Sequence, residues 1–139
     1  MDIRFKNKTA LILSGSKGIG FGIAKNLYKS GCKIIIASSS KKNLLYAKKE
    51  LNNQCEVIQL DIHSQKAVNI FLKKVLKIKI DILILNAPGP KSISLKECKI
   101  KDFRSSINDL LINMITISES VLINMIKQKH GRIVNISSS

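Results

Sequence analysis

The stretch Ser14-Gly15-Ser16-Lys17-Gly18-Ile19-Gly20 concentrates glycine, hydroxyl side chains and a lysine directly after the apolar run Thr9 to Leu13. Glycine at 18 and 20 permits backbone conformations and close approach that a Cβ blocks. A helix starting there turns its free amides and positive dipole end toward an anion, so the chemistry that suits this turn is binding of a pyrophosphate. The spacing is not Gly-x-Gly-x-x-Gly, because Gly15, Gly18, Gly20 and Gly22 stand three, two and two apart, and tight packing of helix on strand also favours glycine. Other reactive side chains form no pattern. Cys32, Cys55 and Cys98 are odd in number and far apart, without the short Cys/His spacings of zinc or of a redox pair, and read as reduced structural thiols. His63 and His130 have no carboxylate or cysteine at ligand spacing and flank helix ends, where a solvated or capping role is expected; no metal site is predicted.

The elements that must position the turn follow from periodicity. Thr9 to Leu13 predicts a strand, and Ile19, Ile23, Ala24 and Leu27 after the turn are at helical spacing, ended by Ser30-Gly31. Lys33 to Ala37, with Ile34-Ile35-Ile36, is too short for a helix and predicts a second, doubly buried strand. Ser38-Ser39-Ser40 is a good helix start, and Lys41 to Leu51 carries Leu44, Leu45, Ala47 and Lys48 in an amphipathic pattern. Glu56 to Leu60 reads as strand three, and Ser64 to Lys77 as a helix with Val68, Phe71, Leu72, Val75 and Leu76 on one side. Ile80 to Leu85 is strand four, broken by Asn86-Ala87-Pro88-Gly89-Pro90. From Lys101 or Asp102 to about Gln128 runs one long helical pattern, closed by Gly131 before strand five, Arg132 to Ser137. Five strands alternating with four helices and no hairpin imply an α/β fold: a parallel sheet with helices on both faces and right-handed crossovers, in one domain over 1–139.

Bulk composition agrees with a packed domain, since hydrophobic residues make up 45% of the chain. There is no run of about 18 apolar residues that could span a bilayer and no secretory signal pattern, so a cytoplasmic location without membrane partner is expected. The net charge of +15 raises the question of a nucleic-acid partner. Distribution argues against one: the lysines are scattered through every polar segment, and aromatics at 4% supply no base-stacking platform. Abundant Lys, Ile and Asn fit the compositional bias of an AT-rich genome.

Four features in order resemble the N-terminal half of the short-chain dehydrogenase/reductase family, across nearly the whole chain. Lys17-Gly18-Ile19-Gly20 is similar to the end of that family's Thr-Gly-x-x-x-Gly-Ile-Gly turn. Asp61, with Ile62 beside it, matches the adenine-binding acid after strand three, and Asn86-Ala87 matches the Asn-Ala-Gly turn after strand four. Gly131-Arg132-Ile133-Val134-Asn135-Ile136-Ser137-Ser138 resembles strand five and puts Ser138 at the catalytic serine. The resemblance implies a Rossmann-type doubly wound sheet of order 3-2-1-4-5, cut after strand five. It implies that Ser14, Gly15, Ser16, Lys17, Gly18, Ile19 and Gly20, together with Ser39, Ser40, Asp61, Ile62, Asn86 and Ala87, contact a nicotinamide dinucleotide.

Departures set the branch. The family's Thr-Gly pair falls on Leu13-Ser14, its Asn-Ala-Gly glycine on Pro88, and its catalytic asparagine on Leu110, which cannot hold the relay water; nothing in the sequence moves that role to Asn113. This pattern is similar to a divergent branch of 3-oxoacyl-acyl-carrier-protein reductases of fatty-acid synthesis, implying a 3-oxoacyl thioester or similar carbonyl as substrate. No acid ends strand two, and Lys17, Ser39, Ser40 and Lys41 offer donors and positive charge for a 2′-phosphate, which favours NADPH over NADH; the same lysines also suit a Lys-rich surface. The family reduces a carbonyl by hydride transfer, with protonation by a tyrosine of a Tyr-x-x-x-Lys pair and with Ser138 orienting the carbonyl. Tyr28 and Tyr46 have no such role, so a truncated or degenerate copy that is inactive alone is expected. The alternatives are a non-catalytic nucleotide-binding module or half of a split protein and, less favoured, a basic nucleic-acid binder. The family's subunit association through the long helix is not expected to be stable in such a fragment, which is expected to aggregate.

Overall fold

The computed structural model describes residues 4–90 and 92–137. The apolar runs form β1 (Thr9–Leu13), β2 (Lys33–Ser38), β3 (Cys55–Gln59), β4 (Ile82–Leu85) and β5 (Arg132–Asn135). All pair in parallel in the order β3-β2-β1-β4-β5, with Leu11 opposite both Ile35 and Leu83. The chain works outward from β1 to β3 and then crosses back to β4, so the strand order reverses between β1 and β4. A crevice opens at their carboxyl ends, where the turn after β1 lies.

Side chains alternate strictly between two cores. Ala10, Ile12, Ile34, Ile36, Ile82 and Ile84 pack on one face of the sheet with Ala24 and Ala47. Leu11, Leu13, Ile35, Leu83 and Leu85 pack on the other with Phe71, Val75, Ile117 and Val121. The helices supplying those partners are α1 (Gly18–Lys29) and α2 (Lys41–Glu50) on the first face, and α3 (Gln65–Val75) and α5 (Asn113–Lys127) on the second. Ser40 caps α2 by accepting from the Asn43 amide, and Ser64 caps α3 by accepting from Ala67.

Several helix faces are narrower than the pattern predicts. Ile19, Leu45 and Leu76, all expected on apolar faces, are 68%, 52% and 46% exposed. For Ile19 and Leu45 the reason is close approach: α1 and α2 touch the sheet through the small Ala24 and Ala47; Leu76 lies just past the last turn of α3, at its C-cap. Strand four starts at Ile82 rather than Ile80, because Asp81 turns inward. Its carboxylate accepts from the Thr9 amide at 3.0 Å and from Lys8 Nζ at 3.4 Å.

The predicted long helix is α4 (Ile100–Ile107), a π-helical segment (Asn108–Ile112) and α5, continuous over 28 residues. Contrary to the expectation that nothing here could span a bilayer, this helix is long and apolar enough by length and composition to do so. Its inner face is committed to the protein: Met114, Ile117, Val121 and Met125 lie in the core beneath the sheet.

Candidate nucleotide site

The turn after β1 is held from three sides. Gly15 donates its amide to Ala37 O, and Ser16, buried, donates its hydroxyl to Ser38 Oγ at 2.8 Å. Asn86, at the end of β4, reaches across 3.4 Å from Nδ2 to Ser14 O. A Cβ on Gly20 would stand 2.6 Å from Ser14 O and 2.8 Å from Asn86 Nδ2, so glycine there is a packing requirement. Gly18 differs: it has φ +57°, and a Cβ would meet nothing within 4 Å. Its glycine serves the left-handed backbone and leaves open space in front of the helix. The first turn of α1 has no side-chain cap and no acid, so its amides face that space without an internal acceptor. Lys17 stands at the N-cap position, exposed.

Beside the turn, a small cavity of about 50 Å³ is lined by Ser14, Ser38, Ser39, Asp61, Ile62 and His63, with Pro88 and Met114 closing it. It therefore joins the carboxyl ends of β1, β2 and β3. Of the sequence-predicted residues, Ser14, Ser39, Asp61 and Ile62 meet here, with Gly15 to Gly20 above them. Asn86 acts through Ser14, Ala87 packs on the core, and the Ser40 hydroxyl is used as a cap. No acid stands at the end of β2, and Lys41 is exposed at the start of α2. Asp61 Oδ1 accepts from the amide of His63, fixing the loop after β3. Ser138 lies outside the described residues. A wider recess of about 790 Å³, lined by Thr9, Lys33, Cys55 and Lys77, opens at the amino ends of the strands and gathers no comparable set of groups.

Two residues that periodicity did not single out complete the site. His63, expected to be solvated or a cap, brings Nδ1 to 2.6 Å from Asp109 Oδ2, with its own side chain 48% exposed and that of Asp109 7%. Asp109 sits in the π-helical segment and also accepts from Ser105 Oγ and Asn108 Nδ2. Burial alone would raise its carboxyl; the hydrogen bonds from His63, Asn108 and Ser105 outweigh burial and hold it below the ordinary range. Asn113 is buried and donates to Ile62 O at 2.9 Å, so its amide nitrogen ties the helix to the loop after β3. Leu110 is half-buried against a separate cavity with Pro90, Ile93 and Asp109. Among the described residues no cluster of His, Cys, Asp and Glu is arranged for a metal.

The sequence profile of the short chain dehydrogenase family matches residues 8–139. The chain belongs to that family. Among its relatives is the 3-oxoacyl-[acyl-carrier-protein] reductase FabG of Rickettsia typhi, 32% identical over 136 residues that cover 98% of this chain and 56% of the relative. The enzyme of the same name from Buchnera aphidicola is 34% identical over 134 residues, 94% of this chain and 55% of the relative. The chain thus spans little more than half the length of the curated proteins it matches. Among solved structures, 2-keto-3-deoxy-D-gluconate dehydrogenase from Streptococcus agalactiae superimposes with TM-score 0.85 at 30% identity, over 98% of this chain and 53% of that one. A 3-oxoacyl (acyl-carrier-protein) reductase from Agrobacterium tumefaciens with NADP bound shares the fold, with TM-score 0.87, 22% identity, and 98% and 54% coverage. In this chain the glycine turn, the loop after β3 and Asn86 all sit at one end of the sheet.

Proposed function

We propose that this chain is the nucleotide-binding part of an NADPH-dependent reductase of 3-oxoacyl thioesters or similar carbonyls. The observation that carries the reading is the convergence, at the carboxyl ends of the strands, of uncapped α1 amides, the open space before Gly18, and the Asp61 loop. In this reading the amides of Gly18, Ile19 and Gly20 bind the pyrophosphate, with Ser14, Gly15 and Ser16 as the backbone that shapes their turn. Asp61 accepts from the base, while Ser39, Lys17 and Lys41 face the 2′-phosphate. Asn86 and Ala87 hold the floor of the crevice. The dinucleotide would supply the hydride; Ser138, outside the described residues, would orient the carbonyl. The names of the Rickettsia and Buchnera relatives support the substrate class.

Within these 139 residues no Tyr-x-x-x-Lys occurs. Tyr28 donates to Gln54 Oε1 near the far end of α1, and Tyr46 is exposed on α2. Binding without turnover, the behaviour of a nucleotide-holding module, is therefore the expected property of this chain alone. Titration with NADPH and NADH tests the first half: saturable binding with NADPH at least about tenfold tighter is expected, since a charge-assisted hydrogen bond to a phosphate contributes on the order of 1.5–3 kcal/mol. An absence of NADPH binding removes the proposal. Incubation with NADPH and an acetoacetyl thioester tests the second, and turnover at ordinary enzyme rates would overturn it.

A further inference from the structure

His63 belongs to two surroundings at once. It lines the small cavity with Ser39 and Asp61, and it lines the neighbouring cavity of about 220 Å³ with Asp102, Ser105, Asp109 and Leu110. Asp109 receives three hydrogen bonds, from His63 Nδ1, Ser105 Oγ and Asn108 Nδ2, as an ionised acceptor does. A carboxylate donates nothing, so Nδ1 carries the proton, and in the neutral ring Nε2 is then an acceptor. Nε2 has no protein hydrogen bond among the described residues. The same holds for Oδ2 of Asp61, whose Oδ1 is occupied by the His63 amide. Two residues, each with one acceptor atom that no described residue occupies, thus line one cavity at the ends of β2 and β3.

We propose that His63, with its tautomer set by Asp109, is a base-specificity residue of the nucleotide site, Nε2 accepting one hydrogen of the adenine amino group beside Asp61. The inference rests on the nucleotide reading above and adds the choice of base. Two acceptors suit an exocyclic amine, which has two hydrogens to give. A base with an oxygen at the same position would place acceptor against acceptor, and a site that hydrogen-bonds the amino group disfavours such an analogue. Asp109 acts only through His63 and is a positioning residue.

The test is calorimetric titration of the purified chain with NADPH and with its 6-oxo analogue, in which hypoxanthine replaces adenine. The wild type is expected to prefer NADPH by about tenfold or more. His63→Asn keeps an amide donor for Asp109 and loses Nε2. It is expected to weaken NADPH about five- to tenfold, to leave the 6-oxo analogue unweakened or bind it more tightly, and so to erase most of the preference. An unchanged preference in His63→Asn overturns the inference and leaves the nucleotide reading standing; binding of neither compound by the wild type overturns both. Should His63→Asn fail to fold, nitrogen-15 NMR of the wild type decides: the His63 Nε2 resonance must move at saturation with NADPH and stay in place with the analogue, and an unmoved resonance with NADPH refutes the role.

Discussion

Ser14 stands where the family turn has glycine, and its backbone lies at φ 48°, in the left-handed region. An L side chain there costs about 1–2 kcal/mol, part of which glycine would return by loosening the unfolded chain. Ser14→Gly is therefore expected to stabilise the protein by about 0.5–1 kcal/mol, read as a higher urea midpoint with unchanged slope. The neighbouring glycines should respond differently to alanine. At Gly20 the new Cβ collides with Ser14 O and Asn86 Nδ2, so the turn must move; a loss of about 1–3 kcal/mol and of NADPH binding is expected. At Gly18 there is room in the free protein, so Gly18→Ala should cost stability only the left-handed preference, about 1–2 kcal/mol, while its Cβ enters the space proposed for the pyrophosphate and weakens NADPH. The thiols divide as sharply. Burial, helped by the charge of Asp81, pushes Cys32 up to about 11, and burial raises Cys55 as well, whereas Cys98 is only half-buried. Mass spectrometry after brief alkylation of the native protein should find Cys98 modified first.

The loop after β3 is fastened to the long helix twice, by His63 to Asp109 and by Asn113 to Ile62 O, both within or just after the π-helical segment. That segment brings Asp109 and Asn113 both to the inner face. Asp109 titrates below its ordinary 3.8 in the folded state, so its contribution to stability is complete above that value and is lost as pH falls through the lower folded one. Asp109→Asn should flatten that acid limb of the urea midpoint against pH; an identical acid limb would show the fastening to be without weight. These ties also mark what sequence could and could not tell. Strands β1, β2 and β4 were legible because β-branched runs of four to six residues, buried on both faces, have no helical alternative. The glycine turn was legible because a short motif carries its own geometry, whereas Asp61 was reached only through the family resemblance. His63 and Asp109 lie 46 residues apart, and no local pattern joins them. Ile19 and Leu45 misled because periodicity reports a helix face but not how closely that face meets the sheet.

Over the whole molecule, two surface properties oppose each other. A net charge of +15 makes copies of the chain repel. Along the long helix, however, Phe103, Ile107, Leu111 and Ile115 recur every four residues, each about half exposed, with Ile100 and Ile126 beyond them at 70% and 66%. β5 extends this apolar surface at the sheet edge, with Ile133 and Val134 exposed. Covering such a stripe gains about 25 cal/mol for each Å² removed from water and is insensitive to dilute salt. Repulsion between scattered lysines acts over only about 8–10 Å at ordinary ionic strength and shrinks to about 3 Å near 1 M salt. Raising salt should therefore strengthen self-association, the reverse of what a lysine-to-acid contact would give. Light scattering behind size exclusion, at low salt and again near 1 M, reads the change in mass. Ile107→Lys combined with Ile115→Lys places charge in the stripe without touching either core, and should leave the melt within about 0.5 kcal/mol of wild type while abolishing the salt-promoted species. If the double variant associates as the parent does, the helix face is not the surface that joins the copies, and the exposed edge of β5 becomes the contact to alter next.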